Sequence, residues 1–159
     1  MDTSVTATSR PTWDETWMAM AEIIAKRSKC SRAQIGCVIV AGDQTVVAAS
    51  YNGAPPNMVT DGSCSHWCPR AINGDADTDY TSCVSSHAEM NAIARSDWSR
   101  LKEATVYTTG TTCYNCAKLI AGAGVTRLVH AVRDTDTHRD PLGVESRLKA
   151  YGVEVIRAE

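Results

Sequence analysis

The stretches SSHAEMNAIAR, residues 85–95, and TTCYNCAKLI, residues 111–120, place reactive side chains at the starts of two predicted helices. His87 and Glu89 stand two positions apart, ahead of apolar residues that recur with helical period. Cys113 and Cys116 have i, i+3 spacing, which puts both thiols on one face of a first helical turn. The packing of a soluble helix requires none of these residues, so we expect them to share a chemical task.

Strands and helices alternate around these two stretches. Short runs rich in valine and isoleucine predict five strands: QIGCVIVA and QTVVAASY as an antiparallel hairpin across a GDQ turn, then EATVYTT, TRLVHAV and GVEVIR. Further helices are predicted near VESRLKAY and from Thr12, where Thr12 and Glu15 have capping-box spacing. This alternation predicts an α/β protein with a mixed five-stranded sheet and helices on both faces.

Composition narrows the class of protein. A chain of 159 residues fits one domain, which we place at residues 11–159 after a flexible lead-in at residues 1–10. The formal net charge is −2 and no tract is rich in lysine or arginine, which argues against nucleic acid as the partner. No apolar run reaches the roughly 18 residues that cross a bilayer, and we identify no signal peptide. We therefore expect no membrane contact and a cytoplasmic location.

The reactive residues suit a zinc ion. His87, Cys113 and Cys116 supply the nitrogen and sulfur donors of a catalytic zinc site, which keeps its fourth position for water. Glu89 can then carry a proton instead of closing the site as a fourth ligand. Each motif alone has an ordinary explanation: a capping histidine with a surface glutamate, or a redox or structural cysteine pair. Their joint occurrence, in this order, favours catalytic zinc.

The pattern His-x-Glu with Pro-Cys-x-x-Cys is that of the zinc deaminases. Here Thr112 takes the position of the proline, and threonine is a suitable residue at a helix N-terminus. The chain resembles the cytidine and deoxycytidylate deaminase family, most closely its deoxycytidylate branch, in segments that cover most of residues 30–132. These segments are CSRAQIGCVIV, SYNGAPPN, HAEMNAIA, ATVYTT and CYNCAKLIAGAGVTRLV.

The resemblance implies a three-layer α/β/α cytidine-deaminase-like fold and a hydrolase. It implies one catalytic Zn²⁺ per chain on His87, Cys113 and Cys116, with Glu89 as the proton shuttle. Asn52 would contact the sugar, although a turn asparagine is an equally ordinary explanation. The implied reaction is the deamination of dCMP to dUMP and ammonia, in which activated water attacks C4 of the cytosine ring and Glu89 protonates N3 and the leaving amine.

Recognition of the substrate phosphate departs from the family pattern. Nucleotide-specific members usually carry a lysine or tyrosine in the loop after the fourth strand, where this chain has VRDTDTHRD. The candidate cations are Arg133, His138 and Arg139 in that loop and Arg32 in CSRAQ. Any one of them taken singly is as well explained as a solvated surface charge. A bound phosphate nonetheless requires a cationic partner.

The resemblance also implies assembly and regulation. Family members are commonly homo-oligomers, often hexamers, and some respond to the effectors dCTP and dTTP near a Gly-Tyr-Asn-Gly segment. In this chain Ser50 replaces the first glycine of that segment.

Most of the remaining cysteines lie in or beside a long irregular segment at residues 52–84. Some family members hold a second, structural zinc in this region, and a closed site would help to order the segment. The predicted ligands are Cys30, Cys64, Cys68 and Cys83, with His66 as a substitute. Scattered free thiols are the alternative.

Two other functions stay open. The first is a deaminase of another cytosine nucleoside or of a modified cytosine nucleotide. The second is a catalytically idle zinc-binding module, in which Glu89 would be dispensable.

Overall fold

The computed structural model describes residues 9–76 and 79–158. Most of the predicted lead-in at residues 1–10 lies outside these ranges, and the single domain at 11–159 stays a prediction. The helices and strands, in chain order, are α1 Trp13–Ala25, β1 Gly36–Val40, β2 Val46–Tyr51, α2 Pro69–Asn73, α3 Ala88–Ala94, β3 Thr105–Thr108, α4 Tyr114–Gly122, β4 Arg127–His130, α5 Pro141–Ala150 and β5 Glu154–Arg157. No helix in the described ranges is both long and apolar enough to cross a membrane.

The five strands form one mixed sheet in the order β2-β1-β3-β4-β5. β1 runs antiparallel to both β2 and β3, whereas β3, β4 and β5 run parallel to one another. The chain crosses between the parallel strands through α4 and then α5, as parallel pairs require. The predicted hairpin, the five strands and the mixed sheet are all confirmed.

β1 is buried on both sides, because helices cover both faces of the sheet. Val38 and Val40 point to one side and pack in a cluster with residues of α1. Cys37 and Ile39 point to the other side and pack in a cluster with residues of α3, α4 and α5. The side chains alternate with the period of a strand and serve two separate cores. The three-layer α/β/α fold is therefore confirmed.

Helix α1 approaches the sheet closely at Gly36. A Cβ atom added to Gly36 would lie 1.9 Å from the carbonyl oxygen of Ala21, so a larger residue would push the helix away. The predicted capping box fixes the start of α1: Glu15 N donates to Thr12 Oγ1 at 3.2 Å, and Thr12 N donates to Glu15 Oε2 at 2.6 Å.

The irregular segment at residues 52–84 contains more structure than its sequence predicts. It includes a short 3₁₀ helix at Cys64–His66 and helix α2. Arg70 of α2 is 5% exposed, donating from Nε to the Asp79 carbonyl oxygen at 2.6 Å and from Nη2 to that of Ala76 at 3.2 Å. A buried guanidinium thus organises this part of the segment.

The polar loop after β4 also contains structure. It forms a 3₁₀ helix at Asp134–Arg139. The following helix, α5, begins at Pro141, three residues before the predicted VESRLKAY. Asp140 precedes it and accepts from Gly143 N at 3.2 Å, so a capping carboxylate and a proline at the first position explain the earlier start.

Candidate active site

The reactive residues meet where α3 and α4 begin. His87 is the N-cap of α3 and Cys113 is the N-cap of α4, with Cys116 at the third position of α4. The two helices pack against each other on the same face of the sheet, so their first turns are adjacent. The ligand atoms of the three residues all lie within 4.8 Å of one another. His87 Nδ1 is 3.4 Å from Cys113 Sγ and 3.4 Å from Cys116 Sγ.

These separations fit a zinc ion. Ordinary zinc–nitrogen and zinc–sulfur bonds at a tetrahedral angle place the two donor atoms about 3.6 Å apart. Within the described ranges, no other group of three histidine, cysteine or acidic residues comes this close together. The carboxylate of Glu89 is not part of the group, so the three donors leave one position of a tetrahedral ion unfilled by protein.

Hydrogen bonding within the group holds one of the three ligands, Cys113, in its metal-binding form. A hydrogen bond from Cys116, with a further one to His87, lowers the pKa of Cys113 to about 3 despite its burial. The hydrogen bond to Cys113 and then burial raise the pKa of Cys116. The hydrogen bond to Cys113 likewise raises the pKa of His87. Cys113 is therefore a thiolate, the form that binds zinc, and a divalent cation would displace the proton of the Cys116 thiol.

Glu89 lies in the first turn of α3 and is 3% exposed. Burial raises the pKa of its carboxyl group, although the neighbouring charge on His87 acts in the opposite direction. It lines the same cavity as His87. A buried carboxyl beside a metal-ligand group has the position of a general acid and base.

A buried histidine compensates for the missing proline before Cys113. Thr112 is 0% exposed and, unlike proline, has a backbone N–H, which donates to His130 Nδ1 at 3.5 Å. His130 Nε2 is 3.3 Å from Glu145 Oε1, an oxygen that also accepts from Arg157 Nε at 2.8 Å. Burial lowers the pKa of His130, so the ring is neutral, with Nδ1 accepting and Nε2 donating. Its position inside the apolar run TRLVHAV was the only signal in the sequence.

A cavity of about 320 Å³ opens beside Glu89 and His87. The five residues predicted to bind substrate all line it: Arg32, Asn52, Arg133, His138 and Arg139. Its lining contains four arginines, of which Arg70 is the fourth, against two carboxylates, Glu89 and Asp136. The cavity is therefore locally basic although the chain carries a net charge of −2.

Asn52 has structural bonds inside this cavity. Its Oδ1 accepts from Ile35 N at 2.8 Å and its Nδ2 donates to the Ala33 carbonyl oxygen at 2.9 Å. An amide side chain has two acceptor positions and two donor protons, so one of each remains for a ligand. The asparagine thus fixes the backbone just before β1, a structural role that neither hypothesis for this residue had predicted.

In the loop after β4, the side chain of Arg139 is held in place by two hydrogen bonds. Its Nη1 donates to the Thr111 carbonyl oxygen at 3.2 Å and its Nη2 to the hydroxyl of Tyr80 at 2.9 Å. Its Nε is buried and has no hydrogen-bond partner within the described part of the chain. The hydroxyl of Tyr80 is also 3.2 Å from His138 Nε2. Sequence reasoning missed Tyr80, which no motif singles out.

The remaining cysteines do not converge. Cys68 and Cys83 are hydrogen-bonded to each other. Cys64 Sγ accepts from Ser31 N at 3.1 Å, and Cys30 Sγ accepts from Ala33 N at 3.5 Å, whereas His66 is exposed. In the ranges that the structure covers, no three of the five predicted ligands come within 4.8 Å of one another. The second zinc stays a prediction without geometric support.

The fold and the site together define a class of zinc-binding deaminase domain. The family model of the cytidine and deoxycytidylate deaminase zinc-binding region matches residues 11–132, and the chain belongs to this family. Among curated relatives, the deoxycytidylate deaminase of Mycobacterium phage D29 is 41% identical over 128 residues, which span 77% of this chain and 96% of the relative.

Two further comparisons are informative. The deoxycytidylate deaminase of Saccharomyces cerevisiae is 35% identical over 124 residues, and the match spans 77% of this chain but only 38% of the yeast protein. The crystal structure of dCMP deaminase from cyanophage S-TIM5 in complex with dCMP and dUMP matches with a TM-score of 0.70 and 25% identity, over 95% of this chain and 100% of that chain. His138 and Arg139 lie beyond the residues that the family model matches.

Proposed function

We propose that this protein is a zinc-dependent hydrolase that deaminates dCMP to dUMP and ammonia. The observation that carries the proposal is the convergence of His87, Cys113 and Cys116 beside the buried carboxyl of Glu89. The similarity to deoxycytidylate deaminases along most of the chain supports the choice of dCMP.

His87, Cys113 and Cys116 would hold the zinc ion. Zinc in a site of this kind acts as a Lewis acid and makes water a nucleophile near neutral pH. Glu89 would take one proton from the attacking water and deliver it to N3 of the cytosine ring. It would then take the hydroxyl proton of the resulting C4 adduct and deliver it to the amino group, so that the C4–N bond breaks, ammonia departs and the C4 carbonyl forms. Its burial supports this role, because burial raises the pKa of the Glu89 carboxyl and so makes its protonated form easier to reach.

Arg139 supports recognition of the substrate phosphate. It lines the same cavity as Glu89, and its buried Nε has a donor proton without a partner in the described chain. His138 and Arg133 line the cavity beside it. Arg32 is more exposed and donates from Nη1 to the Asp75 carbonyl oxygen at 2.8 Å. We therefore assign the phosphate to Arg139 with His138 and Arg133, and the sugar to the remaining amide positions of Asn52.

The mechanism is tested by Glu89→Gln, which keeps the shape of the side chain and removes its proton-carrying function. We expect the zinc content to be unchanged and kcat for dCMP to fall by about 10²–10⁴. Elemental analysis and ammonia release measure the two quantities. Undiminished turnover would favour an idle zinc-binding module and would contradict the proposal.

The substrate is tested by comparing ammonia release from dCMP and from deoxycytidine. A cavity with four arginines should give dCMP the larger kcat/KM. Equal values would argue for a nucleoside deaminase, and turnover of neither would argue for a modified cytosine nucleotide.

Regulation and assembly are further parts of the proposal. A second cavity of about 360 Å³ is lined by Tyr51 and by the cations Arg27, Lys29 and Arg95. This composition suits a nucleoside triphosphate. Arg95 Nη1 donates to Ser50 Oγ at 3.2 Å, at the position where the family has glycine. We propose dCTP and dTTP as its ligands and a homo-oligomer, such as a hexamer, as the assembly. Initial rates with each nucleotide and light scattering test these two statements. The cytoplasmic location stays a prediction.

A further inference from the structure

The side chain of Tyr80 extends along the cavity between the metal-ligand group and the loop after β4. Its ring meets the ring of His87 edge to face, with centroids 5.8 Å apart and an angle of 77° between the planes. The guanidinium of Arg70 lies 4.2 Å from the centroid of the Tyr80 ring. Arg70 also holds the carbonyl oxygens of Ala76 and Asp79, so the backbone just before Tyr80 and the ring itself are fixed by one buried arginine.

The hydroxyl at the far end of this ring is a meeting point of two predicted phosphate-binding residues. It accepts from Arg139 Nη2 at 2.9 Å and lies 3.2 Å from His138 Nε2. Arg139 Nη1 is held separately by the Thr111 carbonyl oxygen. The guanidinium is thus restrained at both terminal nitrogens, and its orientation depends on the phenol.

Both acceptors that hold Arg139 are neutral. Within the described chain no carboxylate forms an ion pair with Arg139, although Asp136 and Glu89 line the same cavity. A carboxylate in the place of Tyr80 would neutralise the guanidinium. A phenol fixes the geometry and leaves the positive charge of the guanidinium for an anion, and the buried Nε has no hydrogen-bond partner among the described residues.

We infer that Tyr80 is a specificity-determining positioning residue, which holds Arg139 for the 5′-phosphate of the substrate and so makes the enzyme selective for nucleotides over nucleosides. The inference rests on the proposed function and extends it. Tyr80 comes from the irregular segment, and we assign to it a role that its position in the sequence does not indicate.

The test uses zinc-loaded protein and the product pair dUMP and deoxyuridine, which differ only in the phosphate. Isothermal titration calorimetry measures their dissociation constants for the wild-type protein and for Tyr80→Phe, which keeps the ring contacts and removes the hydroxyl. We expect the Kd of dUMP to rise about tenfold, as for the loss of a hydrogen bond to a charged group. The Kd of deoxyuridine should not change. Tyr151→Phe, at a half-exposed tyrosine outside the cavity lining, is the matched control and should change neither value.

A second background separates positioning from direct binding. In Arg139→Ala, removal of the Tyr80 hydroxyl should have little additional effect on dUMP, because the phenol acts through the guanidinium. A tenfold loss in that background as well would overturn the inference. So would an equal loss for both ligands, which would indicate a general structural role, or no loss for dUMP.

The inference and the proposed function fail in different ways. A wild-type protein that prefers dUMP to deoxyuridine, with a preference that Tyr80→Phe retains, overturns the inference alone. A wild-type protein that binds both ligands equally overturns the phosphate assignment and the inference with it. A wild-type protein that binds neither contradicts the proposed substrate itself.

Discussion

The pairing of Thr112 with His130 predicts an unusual pair of mutational effects. His130 is 0% exposed and accepts the N–H of Thr112, the residue just before the first cysteine ligand. His130→Leu keeps a side chain of similar size and removes the acceptor. Thr112→Pro removes the donor, and the deaminase pattern shows that this turn accommodates a proline. We expect the proline to have opposite effects in the two backgrounds.

The magnitudes follow from the cost of a buried, unpaired N–H, which is about 1–3 kcal/mol. His130→Leu should lower the free energy of unfolding by at least this amount, because Glu145 also loses a partner while keeping Arg157. Thr112→Pro in the wild-type background breaks a long bond of 3.5 Å and leaves the buried Nδ1 of His130 without its donor, so it should cost about 1–3 kcal/mol. In the His130→Leu background the same proline removes the unpaired N–H and should restore about 1–3 kcal/mol.

Urea unfolding of the zinc-loaded wild type, the two single variants and the double variant measures these differences in the free energy of unfolding. Thermal unfolding provides an independent measurement. A change of 1 kcal/mol corresponds to about 2–4 °C in Tm for a domain of this size. Thr112→Pro should therefore raise the Tm of His130→Leu and lower that of the wild type. If the proline changes both backgrounds by the same amount, the N–H is not coupled to the histidine and the reasoning is wrong.

Three other predictions concern the packing of α1 on the sheet, the ion pair of Asp14 with Arg127, and the metal. Gly36→Ala should destabilise by at least about 1–3 kcal/mol in urea unfolding, because its Cβ would lie 1.9 Å from the Ala21 carbonyl oxygen; Gly42→Ala, which meets nothing within 4 Å, should cost far less, and similar costs would contradict the close approach. The hydrogen bond from Arg127 lowers the pKa of Asp14 below its ordinary 3.8, so the stability from this pair is present above 3.8 and lost as the pH falls through the lower folded value. Asp14→Asn should therefore cost about 0.2–1 kcal/mol at neutral pH and nothing in strong acid, and a cost independent of pH would refute this. Chelation should abolish turnover and lower the Tm, and elemental analysis of the reconstituted protein should find two zinc ions per chain if the four-cysteine site exists and one if it does not.

The parts of the fold that the sequence predicted depend on local patterns. Thr12 and Glu15 begin α1 through bonds between residues three positions apart. The GDQ turn joins two valine-rich strands into the observed hairpin, because a short turn brings neighbouring segments together without help from the rest of the chain. The start of α5 and helix α2 were missed for the converse reason. Each is short or irregular in period, so its apolar pattern is weak.

The parts of the candidate site that the sequence predicted also depend on local patterns. His87 and Glu89 share one helix start, and Cys113 and Cys116 share another, so their spacing was readable before the helices were assembled. The sequence by itself determined the ligand types, the two helices that present them and the mixed sheet below, because these follow from nearest neighbours and from periods of two and 3.6 residues.

The tertiary structure alone decided which distant side chains complete the site. Tyr80 reaches His138 across 58 positions, and Thr112 reaches His130 across 18. No local period encodes such pairs, since they form only when the packing of α3, α4 and the loop after β4 brings them within hydrogen-bond distance. Burial then makes each pair matter, because a polar group removed from water must find a partner inside the protein.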